Sequence, residues 1–172
     1  RGRFAPVTAL NLEMLAAAKE VFESDRGTVA DGGRQPEVRE IMELTMNNLR
    51  DRGQTEDAEF LTRVDLLSAT GKMVLVSDLA AFHELGEYLA ARHVDRTALV
   101  LGLPLLRELF NESHYHRLDG GILEAFGRLF TQAVRLYVYP TRDVIDGRVV
   151  TSDTLTVSPH LSHLLEHLRV NG

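Results

Sequence analysis

The fold is decided by the stretch Arg117-Leu118-Asp119-Gly120-Gly121-Ile122-Leu123-Glu124-Ala125-Phe126-Gly127-Arg128-Leu129-Phe130 and by the run Val134-Arg135-Leu136-Tyr137-Val138-Tyr139-Pro140 that follows it. Paired glycines before an apolar periodicity predict a turn that leads into an amphipathic helix. The helical spacing places Leu123, Phe126 and Phe130 on one face, and Glu124 four residues before Arg128 on another. The second run predicts a buried strand.

Two earlier apolar runs predict further strands. Met73-Val74-Leu75-Val76 closes at Ser77-Asp78, and Ala98-Leu99-Val100-Leu101-Gly102-Leu103 closes at Pro104. Continuous apolar runs between turn residues are typical of strands covered on both faces. Helical patterns separate the runs, so we predict one parallel sheet containing residues 73–76, 98–102 and 134–139, joined by right-handed crossovers. The expected class is α/β, with a short, mostly parallel sheet flanked by helices in Rossmann-like layers.

The residues before the first of these runs have helical spacing. We predict helices from Thr8 to Glu23, from Pro36 to Leu49, and from Thr55 to about Gly71. The expected organisation is a helical N-terminal region over 1–70 and an α/β core over 71–172, together forming one compact unit. Within the core, Asp146-Gly147 predicts a hairpin, and Ser158-Pro159 begins a final helix with its leucines inward.

Composition narrows the function classes. A chain of 172 residues with 44% hydrophobic and 26% charged residues can bury a core, and a net charge of −6 disfavours a nucleic-acid binder. The absence of cysteine excludes disulfides and thiolate chemistry. No apolar run approaches the ~18 residues of a membrane span, so we expect a soluble, cytoplasmic protein without a membrane partner. Because the chain starts at Arg1 without methionine, we also expect a piece of a longer protein.

A resemblance joins several of these segments. Val100-Leu101-Gly102-Leu103-Pro104, Phe110-Asn111-Glu112, and the stretch from Leu118 to Pro140 resemble the C-terminal region of a poorly characterised bacterial protein family. Its members carry conflicting labels, TonB-dependent receptor and nicotinate-nucleotide adenylyltransferase. The first label implies many alternating strands, and the second implies a His-x-Gly-His phosphate motif, and this sequence has neither. The resemblance therefore implies a shared fold, with a slight lean towards nucleotide metabolism.

The paired glycines and the strand ends are candidate ligand sites. A helix N-terminus offers free amides and a partial positive charge to an anion, and Arg128 could clamp a phosphate or carboxylate. The alternatives are a packing turn at the glycines, a helix cap at Ser77, and a solvated ion pair between Glu124 and Arg128. For His114 and His116, the alternative is a loop that packs Tyr115 inward, because alternate residues of a loop commonly point in opposite directions. Polar residues after parallel strands lie where open α/β sheets bind ligands. The candidate ligand-binding residues are Ser77, Asp78, Gly102, His114, His116, Gly120, Gly121, Glu124 and Arg128.

The histidines raise a metal question and a pH question. His160, His163 and His167 have metal-compatible spacing on the final helix, but long imidazoles that flank an apolar face are more often surface residues, so no metal site or cofactor is assigned. His83 opens a near miss of the metalloprotease motif, and the simpler interpretation is a helix-edge histidine followed by two solvated acids. If the stripe on the final helix is unpaired, we expect stability to fall between about pH 7 and pH 5.

Two function classes remain open. The first is a binding or assembly module whose N-terminal helices contact another region of a longer chain or a second copy, giving a homo-oligomer if the first helix cannot bury its apolar face. The alternative is a small-molecule enzyme domain that binds a phosphate- or carboxylate-bearing metabolite. No P-loop, dinucleotide fingerprint or serine-hydrolase elbow occurs. Catalytic residues and cofactors therefore stay unassigned.

Overall fold

The computed structural model describes residues 1–25, 37–46, 57–142 and 147–171. The chain divides into two compact units, Arg1–Ala80 and Ala81–Gly172. This boundary lies ten residues beyond the one placed at residue 70 by the sequence. In the described ranges, no helix has the length and apolar character that crossing a membrane requires.

The first unit is a helix followed by a strand-helix-strand motif. Its two strands run parallel, with register from Ile41↔Met73 to Thr45↔Ser77. A parallel pair needs a crossover connection, and the helix between the strands provides it. The elements are α1 (Ala9–Ser24), β1 (Ile41–Thr45), α2 (Asp57–Ser68) and β2 (Met73–Ser77).

Local sequence explains both helices of this unit. The Thr8 amide donates to Asn11 Oδ1 at 2.9 Å, which satisfies a backbone group at the start of α1. After α2 the chain turns at Gly71, where φ is +74°, a conformation that glycine adopts without strain. Both predicted helices are confirmed, although Thr55, the predicted cap of the second, lies outside the described residues. The core of the unit comprises Met42, Leu44 and Leu67, with Phe4, Val7, Leu12, Leu15, Phe60, Val64 and Val74 packed against it.

The prediction of a helix from Pro36 to Leu49 is wrong. Residues 41–45 form β1, and the last four of them are buried. Ile41, Met42 and Thr45 have spacing compatible with one helical face, but β-branched residues at both ends of the segment also suit a strand. Pairing with β2 decides between the two, because it satisfies the hydrogen-bonding groups of the backbone. The N-terminal region is therefore not wholly helical.

The second unit repeats the strand-helix-strand arrangement with more helices. Its main strands also run parallel, with register from Thr97↔Val134 to Gly102↔Tyr139. Leu99 and Leu101 are buried, whereas Val100 between them is partly exposed. The elements are α3 (Phe82–Ala90), β3 (Thr97–Gly102), α4 (Leu103–Leu109), a 3-10 turn (Glu112–Tyr115), α5 (Gly121–Phe130), β4 (Val134–Tyr139), β5 (Thr141–Arg142), β6 (Val149–Val150), a 3-10 turn (Pro159–Leu161) and α6 (Ser162–Asn171).

The predicted single sheet is wrong for one of its three strands. Parallel pairing of 98–102 with 134–139 is confirmed, but residues 73–77 pair with β1 instead. In the described part of the chain, each of these parallel sheets has two strands. The chain is a mixed α/β protein with parallel pairs. Because residues 41–45 were predicted to be helical, the strand that pairs with β2 was missing from the predicted sheet.

The segments after β4 follow the prediction closely. The hairpin is confirmed by antiparallel pairing of Thr141 with Val150 and of Arg142 with Val149. Asp146 of its turn lies outside the described residues, while Gly147 has a φ of +71°. Leu161 of the second 3-10 turn and Leu165 of α6 are buried, as the leucine periodicity predicts, whereas Leu164 and Leu168 are partly buried.

The apolar face of α1 finds partners within its own unit. Leu12 and Leu15 pack against the core, and Ala18 is buried. Leu10 and Val21 remain about half exposed, at 50% and 49%. The apolar stripe of α1 is therefore buried only in part within its own unit. A homo-oligomer stays a prediction that these contacts neither require nor exclude.

Candidate functional site

The helix that follows the paired glycines is capped by its own sequence. The Gly120 amide donates to Glu124 Oε2 at 2.9 Å, so a carboxylate of the chain occupies the position expected for an anion. Arg128 donates from Nε to Glu87 Oε1 on α3 at 2.7 Å and from Nη2 to Oε2 at 3.3 Å. It also lies 3.6 Å from Glu124 Oε1. The partly exposed pair between Arg128 and Glu87 joins α5 to α3, and Glu124 adds a second carboxylate beside Arg128.

Gly121 itself has a φ of +56°, which L side chains rarely adopt. Substituting it would strain the backbone and confound any binding test. Ligand binding at this turn stays a prediction, and its informative variant is Glu124→Ala, which removes the carboxylate from the Gly120 amide.

The buried face of α5 differs from the face that the sequence predicts. Leu123, which was expected on the apolar face, is 67% exposed. The buried residues of α5 are Ile122, Ala125, Phe126 and Leu129.

His83 of α3 is buried, contrary to the helix-edge position expected for it. Its side chain is 6% exposed, and its Nδ1 atom has no hydrogen-bond partner. The ring of Tyr115 lies 6.3 Å from the imidazole, centroid to centroid. Burial lowers the pKa of His83, and the nearby Arg128 charge lowers that pKa further. The His83 imidazole therefore lies beside the charged groups that join α3 and α5, in surroundings that disfavour its protonated form.

Protein stability should depend on His83 below neutral pH. Its folded pKa lies below the unfolded value of about 6.5, so acid protonates the unfolded chain first and favours unfolding. The stability is thus fully present above about pH 6.5 and falls as pH decreases towards the folded pKa. We expect urea unfolding at pH 7.5 and 5.5 to show a smaller loss in His83→Gln than in the wild type. Equal losses in the two proteins would contradict this role.

The predicted histidine sites are otherwise exposed. Tyr115 is buried, its hydroxyl donates to the Leu109 carbonyl at 2.8 Å, and burial with the nearby Glu108 raises its pKa to about 12. On either side of it, His114 contacts Glu108 at 2.8 Å and His116 contacts the Ser113 carbonyl at 2.7 Å. The loop therefore packs its tyrosine inward, the alternative expected from its spacing. His160 of the histidine stripe lies 2.6 Å from Glu112 and therefore has a partner. The expected loss of stability at low pH required the stripe to be unpaired, so this condition is not met at His160.

The predicted polar residues at the strand ends lie in separate units. Gly102 ends β3 and precedes α4, in extended backbone. Ser77 ends β2, and its hydroxyl donates to Glu43 Oε1, a buried carboxylate on β1. The Arg1 side chain donates to the same carboxylate from two nitrogens. Because a buried carboxylate attracts positive charge, this strand end suits a cation rather than the anion expected there. Asp78 is exposed beside it.

An open groove of about 680 Å³ lies within the second unit. Clefts of roughly 300–1,000 Å³ are typical of small-molecule sites. Apolar side chains of two helices form its floor, and exposed Leu123 at its edge leaves apolar surface in contact with water. The apolar lining residues are Leu123, Phe126 and Phe130 of α5 and Leu164 and Leu168 of α6.

Basic side chains surround this floor. Arg96 precedes β3, Arg135 is the second residue of β4, and His167 belongs to α6. Among the described residues no carboxylate lines the groove, although the whole chain carries a charge of −6. The groove therefore combines an apolar floor with a rim of basic side chains.

The sequence did not predict this groove. Its predicted ligand sites include the carboxyl ends of the strands, whereas Arg96 and Arg135 lie at the amino ends of β3 and β4. Leu161, Leu164, Leu165 and Leu168 have the spacing of one ordinary apolar stripe, so the sequence carried no signal of a groove beside it. The exposure of Leu123 arises from the packing of α5.

Comparisons with known proteins find no match for this chain among protein-family models, curated proteins or solved structures. In the parts of the chain that the structure describes, no cluster of three or more acidic or histidine side chains could hold a metal ion. A functional assignment therefore depends on three features of the structure: the groove, the contacts of Arg128 with Glu87 and Glu124, and the contacts of Glu43 with Arg1 and Ser77.

Proposed function

We propose that the unit Ala81–Gly172 is a binding module, and that the groove between α5 and α6 holds a small anionic amphiphile. The ligand has an apolar chain that covers the floor and a carboxylate or phosphate group that meets the basic rim. The observation that carries the proposal is the coincidence of exposed apolar surface with Arg96 and Arg135 in a groove without lining carboxylates.

Size and charge support a small molecule over a protein partner. A groove of about 680 Å³ matches a small-molecule site. Burying a leucine side chain such as Leu123 contributes roughly 1.5–3 kcal/mol, and a hydrogen bond to a charged group contributes about 1.5–3 kcal/mol. Together these two terms give about 3–6 kcal/mol, which corresponds to dissociation constants from millimolar to tens of micromolar.

The expected result is saturable binding of decanoate and octyl phosphate, and weaker binding of the neutral amphiphile octyl glucoside. Probe concentrations stay below those at which micelles form, and binding is followed by backbone amide shifts in NMR spectra. Leu123→Ser should weaken binding about tenfold or more with stability unchanged within about 0.5 kcal/mol, because Leu123 is exposed. Arg135→Glu should weaken the anionic probes selectively.

Val170→Ser is the matched control. Val170 is 73% exposed on α6, yet it does not line the groove. It should bind the probes as the wild type does. If octyl glucoside binds as tightly as the anions, or if Val170→Ser and Leu123→Ser weaken binding equally, the proposed function is wrong.

The alternative of a small-molecule enzyme domain depends on the glycine turn and Arg128. Both engage partners within the chain, Glu124 and Glu87, so a substrate would have to displace them. That alternative stays a prediction, and the groove is the better-supported site.

A further inference from the structure

We propose that the first unit contains a guanidinium-binding site, which the segment 1–7 fills with Arg1 as an internal ligand. The site, called here the β1–β2 pocket, consists of the Glu43 carboxylate, the Ser77 hydroxyl and the backbone carbonyls of Leu79 and Ala80. Its ligand class is the arginine side chain or another alkylguanidinium. This inference concerns a different unit from the groove and does not depend on it.

The acceptors of the pocket converge on one planar cation. Arg1 donates from Nε to Glu43 Oε2 at 2.6 Å and from Nη2 to Oε1 at 2.9 Å. The same guanidinium donates from Nη2 to the Leu79 carbonyl at 3.0 Å and from Nη1 to the Ala80 carbonyl at 3.1 Å. All three nitrogens are therefore used, in the forked geometry that suits a carboxylate.

Burial makes this arrangement selective. The side chains of Arg1 and Glu43 are 3% and 4% exposed, so neither charge is solvated by water. A buried carboxylate is strongly unfavourable without a cation whose hydrogen bonds fit it. Lysine presents one compact ammonium, which cannot match a two-pronged carboxylate contact. The pocket should therefore distinguish a guanidinium from an ammonium of similar length.

The receptor and its occupant belong to different parts of the unit. Glu43 and Ser77 lie on the parallel strands β1 and β2, with Ser77 at a carboxyl end, where open α/β sheets bind ligands. Arg1 belongs to a segment that precedes α1 and contributes no strand. That segment is held further by the Gly2 amide, which donates to the Glu43 carbonyl at 3.1 Å, and by Phe4 and Val7 against the core. Removing the arginine side chain would leave every acceptor in place.

The test uses the full chain with Arg1→Ala and two small cations. The probe is n-propylguanidine, an analogue of the arginine side chain, and its control is n-butylamine, an analogue of lysine. We expect n-propylguanidine to raise the melting temperature of Arg1→Ala in a saturable way. It should leave the wild type unchanged, because Arg1 already fills the pocket. n-Butylamine should leave both proteins unchanged.

A second variant tests the acceptor. Adding Glu43→Gln to Arg1→Ala should abolish the rise with n-propylguanidine, because the amide presents one oxygen and no charge. If Arg1→Ala does not fold unaided, its refolding yield with n-propylguanidine is compared with that with n-butylamine. A specific gain with the guanidine supports the pocket. No rise or gain, an equal effect of n-butylamine, or an equal effect on the wild type overturns the proposal.

Discussion

Replacement of Glu43 by alanine should lower the free energy of unfolding by about 3–5 kcal/mol, since breaking one side of a buried ion pair leaves the other charge without compensation. The Arg1 guanidinium would lose two hydrogen bonds, and Ser77 would lose its acceptor. The measurement is urea unfolding, with amide hydrogen exchange of β1 and β2 to assign the loss to the first unit.

Glu40→Ala is the matched control for this variant. Glu40 pairs with Lys72 at 2.6 Å, but the two side chains are 17% and 28% exposed. A pair in contact with water contributes about 0–1 kcal/mol, so the control should lose far less stability. Replacing both members of the buried pair, as in Arg1→Met with Glu43→Leu, should restore much of the loss. Equal losses for Glu40→Ala and Glu43→Ala would show that burial does not govern these pairs.

Replacement of Phe126 by alanine should cost the second unit about 3–5 kcal/mol. Phe126 is 4% exposed, and its ring meets Phe110 edge to face with centroids 5.3 Å apart. Tyr115 and Phe130 pack against it at centroid distances of 6.4 Å and 6.1 Å. The variant removes these aromatic contacts and leaves a cavity that rigid neighbours fill poorly. Hydrogen exchange of β3 and β4 during urea unfolding measures the loss.

Leu123→Ala controls for a change on the same helix. Because Leu123 is 67% exposed, its truncation should change stability by no more than about 0.5 kcal/mol. Phe126 also lines the groove, so its variant should lose amphiphile binding together with stability. A stable Phe126→Ala protein would mean that the aromatic cluster does not form the core of this unit.

The pattern of the sequence was sufficient for elements with a strong local period. The helices α1 and α2 and the strands β2, β3 and β4 occur where their periodicity or apolar runs predict them. Such signals are local, because the apolar spacing of a helix or a buried strand is visible within a few consecutive residues. Tyr115 was also expected inward as one of two alternatives, since alternate residues in a short loop point in opposite directions.

The candidate site was predicted only as separate residues. Sequence spacing identified Glu124 and Arg128 as a pair, but Glu87, the stronger partner of Arg128, lies 41 residues away in the chain. His83 was expected at a helix edge because its own helix shows no reason to bury it. The packing of α3 and α5 supplies that reason. Contacts over such separations are invisible to local periodicity.

By itself the sequence determined the α/β class, most of the helices and three of the main strands, because these follow from local apolar spacing and turn residues. Only the tertiary structure decided that residues 41–45 form a strand, since their spacing is ambiguous until β2 supplies backbone partners. It also placed Arg1 on Glu43 and the two basic side chains beside the α5–α6 groove. Both arrangements arise from long-range packing, in which burial and charge select among conformations that are locally equivalent.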